Sequence, residues 1–253
     1  MKTLLYALLI IFCLGVISSA SSATVWNIDF NGEGEDCVLT NSTEKGAWNN
    51  VSLSGHGSSG ITLIGDTPNG TINIKTSTGE ISKLCLSISK SGDGSIGPGA
   101  DVTLPETGGN SGYVPQSVKD SAPASAWRDS IYISNGATLT MTIKGLDPGE
   151  YSLSGFCGLN AAQGQGTMTL NGETQHLNSW TDSGTPGTII DFKAIFVGDD
   201  GKLTFSVQGT DQNCVALNYL TLTQKDKSVP EPSTVLLSVV ALGGLLLRRR
   251  RNK

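Results

Sequence analysis

Only His56 and His176 could serve as general-base histidines, and neither lies in a motif that would hand it a nucleophile. His56 sits in Gly55-His56-Gly57-Ser58-Ser59-Gly60, a flexible loop, and His176 falls on or just after a hairpin strand. No Gly-x-Ser-x-Gly elbow occurs, and Gly92-Asp93-Gly94-Ser95 lacks the strand-to-helix context that presents a nucleophile. Paired carboxylates could hydrolyse a glycoside. With so many acids in one chain, however, proximity of two of them would prove nothing. The residue types argue against an enzyme.

Three other groups could bind rather than react. Glu33, Glu35 and Asp36 form an acidic cluster of hard oxygen donors in Asn31-Gly32-Glu33-Gly34-Glu35-Asp36, with Asp199-Asp200 as a second. Such oxygens suit calcium, although the spacing is not that of an EF-hand loop and a solvated acidic loop is the competing reading. No cofactor is required. Sugars are usually held by exposed aromatic faces with polar neighbours. Trp26 alternates within a strand and is expected in the core. Trp180, in Asn178-Ser179-Trp180-Thr181-Asp182-Ser183-Gly184, is the first candidate for such a contact, and Trp127, before Arg128-Asp129, is the second.

Cys37, Cys85, Cys157 and Cys214 are an even set, which favours disulfides in an exported protein and allows three pairings. Cys37–Cys85 with Cys157–Cys214 is the preferred pairing because each bridge stays within one half of the domain. There is no Cys-x-x-Cys spacing, so zinc and dithiol redox chemistry have no support.

The elements that must position these residues are strands. Short alternating runs recur, bounded by Gly, Pro, Asn and Ser, without sustained 3.6-residue periodicity. They are Val25–Phe30, Trp48–Leu53, Ile61–Ile64, Thr71–Lys75 and Leu84–Ile88, then a short edge strand at Ile131–Ile133. Leu139–Ile143, Tyr151–Phe156, Thr167–Leu170, Thr188–Val197, Leu203–Val207 and Val215–Leu222 follow. Gly145-Leu146-Asp147-Pro148-Gly149-Glu150 and Asp199-Asp200-Gly201 read as turns, and Asn171-Gly172 as a hairpin. Residues 92–126, rich in Gly, Pro and Ser, read as a long loop. The expectation is an all-β antiparallel sandwich, jelly-roll-like, over residues 24–224, with its first and last strands side by side.

Both ends read as addresses. Lys2, an apolar run from Leu4 to Ile17 and small residues up to Ala23 make residues 1–23 a signal peptide with a helical core. Cys13 is not a lipidation site, because Phe12 precedes it where a small residue is needed. Residues 225–233 are a linker ending in Val229-Pro230-Glu231-Pro232-Ser233. A short hydrophobic helix (234–247) and the basic tail Arg248-Arg249-Arg250-Arg251-Asn252-Lys253 follow. The apolar run spans about 21 Å as a helix, short of the roughly 20 residues that a bilayer core needs. The arginines would stay cytoplasmic. This order of motif, helix and basic cluster resembles the PEP-CTERM sorting signal of exported bacterial proteins. The resemblance implies an exosortase-type processing enzyme as partner, passage through the inner membrane, and delivery to the envelope surface or extracellular matrix.

Between the addresses, Trp127 to Gln224 resembles galactose-binding-like jelly rolls, including carbohydrate-binding modules. The resemblance rests on Gly145-Leu146-Asp147-Pro148-Gly149-Glu150-Tyr151 and the closing run Val215–Leu222. It implies polysaccharide, the exopolysaccharide included, as the ligand class. Residues 24–227 hold eleven basic and twenty-one acidic residues, a net charge of about −10 against −5 for the whole chain. That balance excludes nucleic acid as a partner. The expectation is thus a non-catalytic surface or matrix protein. A polysaccharide-active enzyme and an adhesin-like scaffold without a ligand are the alternatives.

Overall fold

The computed structural model describes residues 23–31, 39–42, 46–54, 62–63, 71–98, 114–123, 126–127, 130–158, 164–178, 187–210 and 214–226. Residues 1–22 of the expected signal peptide, the expected sorting motif and hydrophobic helix, and the basic tail lie outside these residues. So do His56, Trp180, Cys37 and the Glu33, Glu35, Asp36 cluster. Among the described residues no helix is long and apolar enough to cross a membrane.

Two sheets form a sandwich within Thr24–Lys225. The first sheet runs β13 (Thr188–Val197), β10 (Gly149–Cys157), β16 (Tyr219–Gln224), β1 (Thr24–Asn31), β3 (Gly46–Ser54) and β2 (Leu39–Ser42), with β4 (Thr62–Leu63) paired to β3. The second runs β12 (Glu173–Asn178), β11 (Gln165–Leu170), β14 (Lys202–Gly209), β9 (Thr138–Lys144), β6 (Ile81–Ser91) and β5 (Thr71–Lys75). A small sheet of β15 (Val215–Leu217), β8 (Ile131–Ile133) and β7 (Ile96–Pro98) adds Ile96, Ile131, Ile133, Val215 and Leu217 to the same core. From β9 onward the chain changes sheet at almost every connection, as in a jelly roll.

Alternation explains the core. Leu139, Met141 and Ile143 of β9 face inward between threonines, as do Leu203, Phe205 and Val207 of β14. From the other sheet come Trp26, Ile28 and Phe30 of β1 and Leu220 and Leu222 of β16. Burial of each large apolar side chain contributes about 1.5–3 kcal/mol. β1 and β16 pair antiparallel from Thr24↔Gln224 to Asp29↔Tyr219, so the first and last strands do lie together. One ladder departs from the antiparallel rule: β1 and β3 are parallel, Asn27 facing Trp48.

Several expectations change. Asn171 and Gly172 have φ of 50° and 84° and close the β11–β12 hairpin as a type I′ turn requires. The expected turn at Gly145–Glu150 joins strands of different sheets and so arches over the sandwich end. Leu146 fills that end and donates its N–H to the Gly201 carbonyl at 3.0 Å, and the Tyr151 hydroxyl donates to the Asp147 carbonyl at 2.8 Å. β8 is the middle strand of its sheet, not an edge. The expected strand Val215–Leu222 breaks at Asn218 into β15 and β16. Residues 92–126 contain β7 and a six-residue helix, α1 (Gln116–Ser121).

The cysteine pairing is also corrected. Cys85, Cys157 and Cys214 are all thiols, so neither preferred bridge is formed. Cys157 turns into the core, whereas Cys85 lies on the outer face of the other sheet, between buried Leu84 and Leu86. Burial pushes the Cys214 thiol above its ordinary range.

Side-chain amides join the two sheets where strands cannot. The Asn49 Nδ2 group donates to the Lys75 carbonyl at 2.8 Å, and the Lys75 N–H donates back to Asn49 Oδ1 at 2.7 Å. Near the opposite edge Gln175 pairs with the backbone of Asp191 in the same way, at 2.6 and 3.2 Å. Each carboxamide imitates one rung of a ladder between strands in different sheets.

Candidate functional site

Positions that alternate with the core strands face outward from the seven-stranded sheet. The register sets two rows there. Asp191, Ser154, Thr221, Asn27 and Trp48 follow one another across β13, β10, β16, β1 and β3. Beside them run Ile189, Phe156, Tyr219 and Asp29. Asp29 is 1% exposed.

Residues 114–123, 126 and 127 strap over part of this face. Val114, Val118, Ala122, Ala126 and Trp127 pack on Trp48, Phe156 and Tyr219 as a second apolar cluster. The Trp48 and Tyr219 rings meet edge-on with centroids 5.4 Å apart. Asn218 anchors the strap: its Nδ2 donates to the Trp127 carbonyl at 3.2 Å and its Oδ1 accepts from the Gly158 N–H at 2.7 Å.

Alongside the strap the face is open, as a groove of about 480 Å³. Its floor is Ser154, Thr221 and Asn27, one wall is Ser117, Val118 and Ser121 of α1, and Gly46 and Ser77 form the other. Val25 and half-exposed Ile189 (48%) add apolar surface. The Thr221 hydroxyl donates to Asn27 Oδ1 at 3.1 Å and Asn27 Nδ2 donates to the Ala47 carbonyl at 3.2 Å, which fixes the floor. Tyr219 and Ser121 bring their hydroxyls within 3.3 Å at the strap. Burial holds the Tyr219 phenol above its ordinary value, partly offset by that contact, so it remains a neutral donor and acceptor.

Trp26 lies in the core as expected (5% exposed). Trp127 does not fit the contact role: at 4% exposed it is packed under the strap, and its ring offers no face to a sugar. His176 is exposed on the outer face of the other sheet, opposite Thr167. Asp199 and Asp200 lie in an exposed turn, where Asp200 Oδ1 accepts the Lys202 N–H at 3.4 Å. Among the described residues no group of three or more His, Cys, Asp or Glu side chains converges. Sequence reasoning missed Asn27, Ser154, Thr221, Tyr219 and α1. The signal for the first three was a small polar residue at an outward position in strands otherwise built for a core.

No protein-family model and no curated protein sequence matches the chain. Solved structures align with it in part. The C-terminal CBM6 of LamC, a marine laminarinase from Zobellia galactanivorans, is 19% identical over 38% of this chain and 80% of that chain, TM-score 0.27. The carbohydrate-binding module CBM6cm-2 of Cellvibrio mixtus lichenase 5A, in complex with cellotriose, is 15% identical over 39% and 79%, TM-score 0.27. The insecticidal crystal protein Cry2Aa is 18% identical over 38% of this chain, TM-score 0.29, and this chain spans only 17% of it.

Proposed function

We propose that the chain is a non-catalytic exported protein that holds polysaccharide in the groove on the outer face of its seven-stranded sheet. Its leader takes it across the inner membrane, and an exosortase-type enzyme reads Val229–Ser233 and sorts it to the envelope surface or matrix. The observation that carries the binding reading is the groove itself. Its floor of hydroxyls and one fixed carboxamide, flanked by Ile189 and Val25, matches the hydroxyl and C–H surfaces of a sugar ring. Affinity gel electrophoresis of the full chain in a sugar-free polyoxyethylene detergent, against a panel of polysaccharides, tests it. Retardation by at least one polymer is expected. Migration unchanged by every polymer, with the protein shown to be folded, would overturn the reading.

A further inference from the structure

Resting on that reading, we infer that the groove selects uncharged polysaccharide and rejects polymers bearing uronate or other acidic groups. Among the described residues no side chain lining it is charged. Its polar groups are the hydroxyls of Ser77, Ser117, Ser121, Ser154, Thr221 and Tyr219 and the amide of Asn27. Hydroxyls both donate and accept, as sugar hydroxyls do, whereas a carboxylate only accepts and needs a cation opposite. None is at hand. Lys193, on the strand that carries Ile189, already pairs with Asp191 at 3.0 Å. The nearest buried charge-bearing group is acidic: Asp29, directly opposite Tyr219 in the ladder. Arginine, the residue best suited to planar anions, occurs once in residues 24–227, as Arg128, outside the described residues.

An acidic sugar entering this groove would lose water without gaining a counter-charge, and an uncompensated buried charge is strongly unfavourable. The net charge of about −10 on residues 24–227 adds longer-range repulsion. The two effects separate by salt, because long-range repulsion is screened while desolvation in the groove is not.

The test runs the full chain against neutral glucan, galactan and mannan, each beside its C6-oxidised, uronate-bearing form of matched size, at low salt and at about 0.5 M salt. Expected is retention by a neutral polymer, weakened at least roughly tenfold by oxidation at both salts. A second arm uses Ser154→Arg, which supplies the missing cation at the floor and should narrow that gap. Equal retention by the neutral and oxidised forms would overturn the inference while leaving polysaccharide binding intact. A gap that vanishes at high salt would also overturn it, since net charge alone would then explain the discrimination. Retention by none of the polymers would remove both the inference and the reading beneath it.

Discussion

The Thr221 hydroxyl donates to Asn27 Oδ1 at 3.1 Å across a sequence separation of 194 residues. That bond ties the last strand to the first in the floor of the groove, and it makes the floor depend on correct closure of the whole sandwich. Thr221→Val keeps the shape and removes the donor. The variant should fold, lose about 1 kcal/mol of stability because Asn27 Oδ1 loses its partner, and bind its polysaccharide several-fold more weakly. Chemical denaturation and affinity electrophoresis on one preparation check both effects. Unchanged binding would take Thr221 out of the site.

Trp127 should behave as a structural residue. Trp127→Ala would open a cavity under the strap and cost roughly 3–5 kcal/mol. A thermal melt of the variant should show a large drop. A variant as stable as the parent would mean that the ring is not buried in solution.

Asn49 and Gln175 both replace a ladder rung, but in different surroundings. Asn49 is 7% exposed, and its loss strands backbone groups of Lys75 and Asn27 away from water. Asn49→Ala should therefore cost about 2–3 kcal/mol, whereas Gln175→Ala, on an exposed edge, should cost about 1 kcal/mol or less. Urea titrations of the two variants give the order directly. A reversed order would contradict the buried staple.

Much of this architecture was legible in residue order. Leu139–Ile143 and Tyr151–Gly155 alternate because one face of each strand is core, and the Asn171-Gly172 hairpin follows from local chemistry. Gly145–Glu150 was legible as a turn but not as an arch, because a Pro-Gly turn has the same local chemistry whether its two strands join one sheet or two. α1 has one buried residue, Val118, and six residues cannot display a helical period. The groove was invisible for a different reason. Ser154, Thr221 and Asn27 are ordinary outward residues until register sets them in one row, and alternation fixes the facing of a strand but not its neighbours. Trp127 misled because its burial comes from Trp48 and Asn218, both distant in sequence.

Alkaline pH should destabilise the fold before any general base effect. Burial and the nearby Asp147 carboxylate push the Tyr151 phenol up to about 12, with the hydrogen bond to the Asp147 carbonyl opposing. Tyr132 and Tyr219 are also raised, mainly by burial. A raised folded pKa favours the native state fully below the unfolded value of about 10. That contribution is lost as pH climbs through the folded value of about 12. Melting temperature should fall across this window, and Tyr151→Phe should flatten the fall while removing about 1 kcal/mol at neutral pH. A pH profile unchanged in the variant would contradict the assignment.

The central claim is that polysaccharide lies across Ser154, Thr221 and Asn27. Amide chemical-shift mapping of the labelled full chain, titrated with an oligosaccharide of the polymer that retards it most, tests this directly. The account predicts that the perturbed resonances cluster on β10, β16, β1 and α1, centred on those three residues and Tyr219. Shifts confined instead to residues 179–186 around Trp180, or to the outer face of the six-stranded sheet, would contradict it.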